Sequence, residues 1–334
     1  MDEITNTYTE KQEKTPFSRV GWTLFAILGI TTLLQIIIAV VVKLAAPQLY
    51  EESWFMWALS FLPLYFAAIP IGYLIIKPLP KLTVPQKKLS FGKLIAFLAM
   101  SFAVMYIGNI IGTLINSGIG ALKGSESTNP LEALMTGSNI FLELLVVVII
   151  APILEEFIFR KMLIDRIRVY GEGTAILVSG LMFGLFHGNL YQFFYAFGLG
   201  CLFAYVYLRT GRVRYTIILH AIINGYGVLM SQLVVKGADT GVFNMSGENP
   251  EELIKAVQNN LPQYIVAGLC GLAAVALFIS GVVLLIVNRK KAVLYVAPKE
   301  LPKPERFKTV FVNWGMGLFA LLAIGMMVYS ALAV

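Results

Sequence analysis

A chain of 334 residues in which 58% are hydrophobic and 13% charged, with a mean hydropathy of +0.77, lies outside soluble globular usage. Its net charge of +7 does not require a nucleic-acid partner if topology and anionic lipid account for it. Its two cysteines, Cys201 and Cys270, fall in apolar runs and exclude a disulfide framework.

Apolar runs of about 20 residues, the length that crosses roughly 30 Å of hydrocarbon, recur along the chain. They predict an all-α polytopic membrane helix bundle of about nine spans: 20–44, 53–76, 93–117, 139–160, 173–188, 190–208, 214–235, 264–288 and 310–333. The first 19 residues mix acidic and basic side chains, so the first span reads as a signal anchor. Gln35 and Asn109 read as interhelical hydrogen-bond formers, and Glu143 as a boundary or interhelical hydrogen-bonding residue. Gly180, Gly184 and Gly188 recur every four residues, a small-residue face for close helix packing. The chain divides into three regions: residues 1–130 with three spans, 131–235 with four spans on short connections, and 236–334. The last opens with an outer loop at about 236–262 containing Asp239, Glu248, Glu251 and Glu252, and ends in two spans. No internal repeat is visible, so the paired-repeat logic of many transporters finds no support.

Lys and Arg give the orientation, because they accumulate in cytoplasmic connections. With the N-terminus inside, the inner segments hold Lys11, Lys14 and Arg19; Lys77, Lys81, Lys87, Lys88 and Lys93; Arg160, Lys161, Arg166 and Arg168; Arg209, Arg212 and Arg214; and seven more between Arg289 and Lys308. Only Lys43, Lys123, Lys236 and Lys255 remain outside.

Ionisable groups at membrane depth cost roughly 2.5–3.5 kcal/mol each on insertion scales, which marks them as functional candidates. The middle region holds both histidines of the chain, His187 and His220, together with the pair Glu155 and Glu156. Residues four apart share a helix face. Glu156 therefore pairs with Arg160, whereas Glu155 points elsewhere and is free to act as a general base. Phe183 and His187 share one face, and His220 and Asn224 another. An imidazole and an amide suit stabilisation of a developing oxyanion. No Ser or Cys stands beside either histidine, so attack by water is the simpler reading.

These residues resemble the type II CAAX prenyl endopeptidases and their bacterial relatives, the CPBP or Abi group of intramembrane proteases. The pattern E-E-x-x-x-R, F-x-x-x-H, H-x-x-x-N reads here as EEFIFR from Glu155 to Arg160, FGLFH from Phe183 to His187, and HAIIN from His220 to Asn224. The resemblance covers roughly residues 139–235. It implies a protease of the bacterial cell membrane that hydrolyses a peptide bond in a membrane-associated or lipid-modified protein or peptide. In it Glu155 and His187 activate water, His220 and Asn224 stabilise the oxyanion, and Glu156, Arg160 and Phe183 support the site.

Metal-free catalysis is the expectation. Zinc on Glu155, His187 and His220 is the alternative, although H-E-x-x-H is absent and an Asn four residues after His220 suits hydrogen bonding better. A non-enzymatic regulator or scaffold of the same fold, for immunity or surface-protein control, is the alternative function, and a proton-coupled transporter a third. Singly, the carboxylates read as boundary charges and each histidine as a hydrogen-bonded packing residue. A plain hydropathy map separates Glu155 from His187 in depth. A short or tilted fifth helix, and a fourth helix continued through RKMLIDRIRVY, bring them together, with a cavity expected to open towards the cytoplasm or laterally to lipid.

Overall fold

The computed structural model describes residues 2–125, 129–135, 138–239 and 258–332. Among these, regular secondary structure is entirely helical, as an apolar chain requires when no water is at hand to satisfy its backbone. The long helices are α1 (Asp2–Ala45), α2 (residues 53–76) and α3 (Phe91–Lys123), followed by a short α4 (Pro130–Met135). Next come α5 (residues 140–167), α6 (Glu172–Phe186), α7 (Leu190–Thr210) and α8 (Val213–Asp239). Helices α9 (Leu261–Asn288), α10 (Arg306–Phe311) and α11 (Trp314–Leu332) complete the chain. Seven of them, α1, α2, α3, α7, α8, α9 and α11, contain stretches long and apolar enough to cross a membrane. The other two expected segments are α5, which carries charged residues, and α6, which has only 15 residues. The acidic outer loop expected at 236–262 falls largely outside the described residues, and α8 runs on to Asp239.

Packing surrounds the middle region. Helix α5 lies against α6 and α8, α6 packs along α7, and α7 leans on α3, which carries α9 on its far side. Helices α1, α2 and α11 close the other flank. A Cβ on Gly180 would lie 2.9 Å from the Cys201 amide nitrogen, and one on Gly184 2.9 Å from the Phe193 carbonyl oxygen. These two glycines therefore let α6 and α7 touch backbone to backbone. Gly188 does not share that face. It lies beyond the helix end at φ 62°, where the left-handed turn into α7 favours a residue without Cβ. Gln35 donates to the Ser60 carbonyl across α1 and α2 at 3.0 Å, the interhelical role its place in an apolar run predicts. Asn109 departs from that role: it is exposed, and its side-chain oxygen accepts from Thr113 one turn along the same helix, because no neighbour covers that face.

The connections sort to two ends. Leu82 N–H donates to the Asp165 carbonyl, Lys87 N–H to the Thr210 carbonyl, and Lys299 N–H to the Val169 carbonyl, while Phe17 packs its ring on Tyr170. Glu172 is paired with Arg209 and accepts from the Tyr295 N–H. The five segments rich in Lys and Arg thus meet at one end of the bundle. The connection after α1, helix α4 and the α6–α7 turn gather at the other.

Replacing Gly180 by Val should force α6 off α7 and cost about 1–3 kcal/mol, the usual range for overpacking. A lowered thermal midpoint of the detergent-solubilised protein checks this, with Gly118→Ala, which meets nothing within 4 Å, expected to leave the midpoint unchanged.

Candidate active site

The site begins with an irregularity in α5. Residues Leu144–Ile150 and Phe157–Ile164 are π-helical, and the single α-helical stretch between them, Ala151–Glu156, carries both acids. In the π register each N–H reaches the carbonyl five residues back, as Ala151 N–H does to Val146. The next amide in that series belongs to Pro152, which has no proton to give, so the Val147 carbonyl is released. Asn224 on α8 takes it: its side-chain Nδ2 donates to Val147 O at 2.9 Å.

One turn further on, Glu156 and Arg160 form a fully buried pair. Arg160 Nε donates to one carboxylate oxygen at 2.8 Å and Nη2 to the other at 3.2 Å, the bidentate geometry that a planar guanidinium favours. Its Nη1 donates to Ser179 Oγ at 2.6 Å, and Ser179 Oγ donates to the Phe159 carbonyl at 2.9 Å. The rings of Phe183 and Phe203 lie 5.5 and 6.0 Å from the guanidinium carbon. Glu156 Oε1 also faces His220 Nδ1 at 3.2 Å. Because that nitrogen meets an acceptor, it carries the proton, and Nε2 is turned to the opposite side.

There it finds Glu155, whose Oε2 lies 3.8 Å from His220 Nε2, beyond hydrogen-bond distance. That oxygen is buried and has no hydrogen-bond partner among the described residues. His187 caps α6, and its Nδ1 is 2.8 Å from the Phe183 carbonyl, which assigns that proton as well and leaves Nε2 as an acceptor. His187 lies within electrostatic reach of both Glu155 and His220. Phe183 stands edge-on to both imidazoles, 4.9 Å from His187 and 5.7 Å from His220 between ring centres, and so spaces them. The structure therefore brings Glu155, His187 and His220 around one region, joins Glu156 and Arg160 beneath it, and commits one amide proton of Asn224 to α5.

The depths now agree. Glu155 stands 12 residues before the end of α5 at Ile167, and His187 15 residues after the start of α6 at Glu172. At the 1.5 Å per residue of an α-helix these are at most roughly 18 and 22 Å from the basic end, the π-helical turns of Phe157–Ile164 shortening the first. A cavity lined by His187 lies at one end of the bundle. It has a volume of about 690 Å³ and is walled by Glu51, Ser53, Leu134 and Asn189, all from the end remote from the basic connections. Among the described residues no three His, Cys, Asp or Glu side chains converge closely enough to hold a metal ion.

The family model of Rce1-like type II CAAX prenyl endopeptidases matches residues 137–226, the stretch containing all seven motif residues. A protein of Bacillus subtilis (strain 168) named "Putative membrane peptidase YdiL" is 30% identical over 172 residues, which make up 50% of this chain and 68% of that protein. The chain belongs to the type II CAAX prenyl endopeptidase family. A second member, the "Membrane-embedded CAAX protease MroQ" of Staphylococcus aureus (strain USA300), is 28% identical over 173 residues, 49% of this chain. The match covers 63% of that relative. No solved structure matches. Membership of this CAAX endopeptidase family, with seven apolar helices, makes the chain a protease integral to a bacterial membrane.

Several site residues carry no motif signal. Ser179 is one, Phe203 another, and Gln232 a third: its amide holds both oxygens of buried Glu143, at 2.9 and 3.0 Å, across α8 and α5. Tyr65, on the π-helical segment Leu64–Ala68 of α2, is a fourth. Its hydroxyl is buried without a hydrogen-bond partner among the described residues and lies within the field of Glu155. Serine and Gln spaced 19 and 89 residues from their partners leave no local periodicity to read.

Arg160→Met should leave Glu156 as an uncompensated buried charge and destabilise the protein by about 3–5 kcal/mol. Adding Glu156→Gln should restore more than half of that loss, as denaturant unfolding of the purified single and double variants would record.

Proposed function

We propose that this protease hydrolyses its peptide bond with a water molecule activated by Glu155, and that no metal takes part. The observation that carries the reading is Glu155 Oε2, buried without a hydrogen-bond partner among the described residues, 3.8 Å from His220 Nε2 and beside a fully satisfied Glu156–Arg160 pair. One acid is neutralised and held, the other left available.

In this mechanism His187 accepts a hydrogen bond from water at Nε2, and Glu155 takes the proton. The water oxygen bonds to the scissile carbonyl carbon, whose oxygen becomes an oxyanion. His220, flanked by both carboxylates, donates to it from Nε2, and Asn224 donates with the amide proton that Val147 does not hold. The proton on Glu155 passes to the departing amide nitrogen, the C–N bond breaks, and carboxyl and amino products leave. Tyr65 donates its hydroxyl towards Glu155 or its water, which orients the nucleophile from a helix outside the motif region. Water attack needs no covalent enzyme intermediate. The substrate is a peptide segment that enters from the bilayer or its surface.

Glu155→Gln keeps the size of the side chain and removes the base, so proteolysis by the purified protein should fall about 10²–10⁴-fold while its thermal midpoint is retained. If the biological effect of the protein persists in that variant, the regulator reading replaces this one. Tyr65→Phe should lower kcat about 10–100-fold, the worth of a hydrogen bond to a charged group, with KM nearly unchanged. Prolonged dialysis against EDTA should leave activity as it was; loss that zinc restores would reverse the metal-free assignment.

A further inference from the structure

Given a protease whose base is Glu155, the cavity at His187 constrains the substrate that can reach it. The cavity walls come from the connection after α1, the start of α2, helix α4 and the α6–α7 turn. None of these belongs to the Lys- and Arg-rich segments, which hydrogen-bond to one another at the opposite end. Basic connections mark the cytoplasmic side, so the mouth of the cavity faces outward.

Chemistry of the wall is equally selective. Gln35, Glu51, Ser53, Ser60, Ser138, Asn189 and Gln192 line it with His187, and four apolar side chains complete it. Glu51 is the one acid among the described lining residues, and no Lys or Arg is among them. A long isoprenoid placed here would strip water from these polar groups without returning hydrogen bonds. An extended peptide returns them through its own amides, and a basic one also meets Glu51. Asn189 is already fixed, donating to the His187 carbonyl at 2.9 Å and to Gln192 Oε1 at 2.8 Å, so the wall beside the imidazole is rigid.

We infer that the substrate of the proposed protease is an unlipidated, polar peptide segment presented at the external face of the membrane, and that it reaches Glu155 past His187 through this cavity. A prenylated tail in the cytoplasm would meet neither the right side nor the right wall.

Three measurements test this. Ser53→Cys should be labelled by a membrane-impermeant maleimide on intact cells, and Leu82→Cys only after permeabilisation, with the parent chain reporting the background from Cys201 and Cys270. A quenched-fluorescence library of decapeptides rich in Ser, Gly, Gln and Lys should be cleaved by purified protein with kcat/KM about tenfold or more above the same peptides carrying an S-farnesyl cysteine. The same library added outside intact cells should be cleaved by cells producing the protein and not by cells producing Glu155→Gln. Labelling of Ser53→Cys only after permeabilisation, or preference for the farnesylated peptides, overturns the inference. Cleavage by purified protein but not by intact cells overturns it and leaves the protease reading standing. Cleavage in neither setting overturns both.

Discussion

The buried pair of Glu156 and Arg160 is the constraint on which the site depends. A guanidinium removed from water must have its donors met, and here the carboxylate, the Ser179 hydroxyl and two aromatic faces meet them. The partners come from three helices: Glu156 from α5 itself, Ser179 and Phe183 from α6, and Phe203 from α7. Through Glu156 the pair also holds His220 on α8. Satisfying one cation therefore fixes the relative rotation of four helices. Glu155, the next residue, is carried into position by that arrangement while taking no share in it.

A row of polar contacts along α8 extends this logic. His220 meets Glu156, Asn224 meets the Val147 carbonyl, and Gln232 meets Glu143, in antiparallel order along α5. Between lipid-facing surfaces such bonds supply a specificity of register that apolar packing alone does not, since lipid tails are as apolar as Leu. The π-helical stretch Leu144–Ile150 contributes by changing the rotation of α5 between Glu143 and Glu156, so that Glu143, Val147 and Glu156 all present to the same neighbour. Pro152 then converts a backbone irregularity into a hydrogen-bond acceptor for the site.

Legibility in the sequence tracks the range of each interaction. Apolar run length located the helices, and the four-residue spacing of Glu156 with Arg160 yielded their ion pair, because both are one-helix properties. The histidines stood out because ionisable groups are costly in apolar runs. Ser179, Phe203, Gln232 and Tyr65 were silent, since each acts across helices and looks like ordinary span composition. Asn109 misled for the same reason: nothing local says which face of α3 a neighbour covers. Gly188 shared the spacing of Gly180 and Gly184 but not their function, because α6 stops one turn short and the spacing persists past its end. The direction in which a cavity opens was not legible, because hydropathy measures depth and says nothing about which connections part to form an entrance.

The shortness of α6 has a consequence for the surrounding lipid. With 15 residues it rises about 22 Å, against roughly 30 Å of hydrocarbon. The turn at Gly188 and Asn189 is thus polar backbone set below the usual headgroup level, tolerated there because Asn189 is buried among its neighbours and hydrogen-bonded to the His187 carbonyl and to Gln192. The cavity beside it, lined by His187, reaches this depth without a long pore. Hydrolysis within a membrane needs water as its second reactant, and a missing turn and a half of helix shortens the path that water must travel.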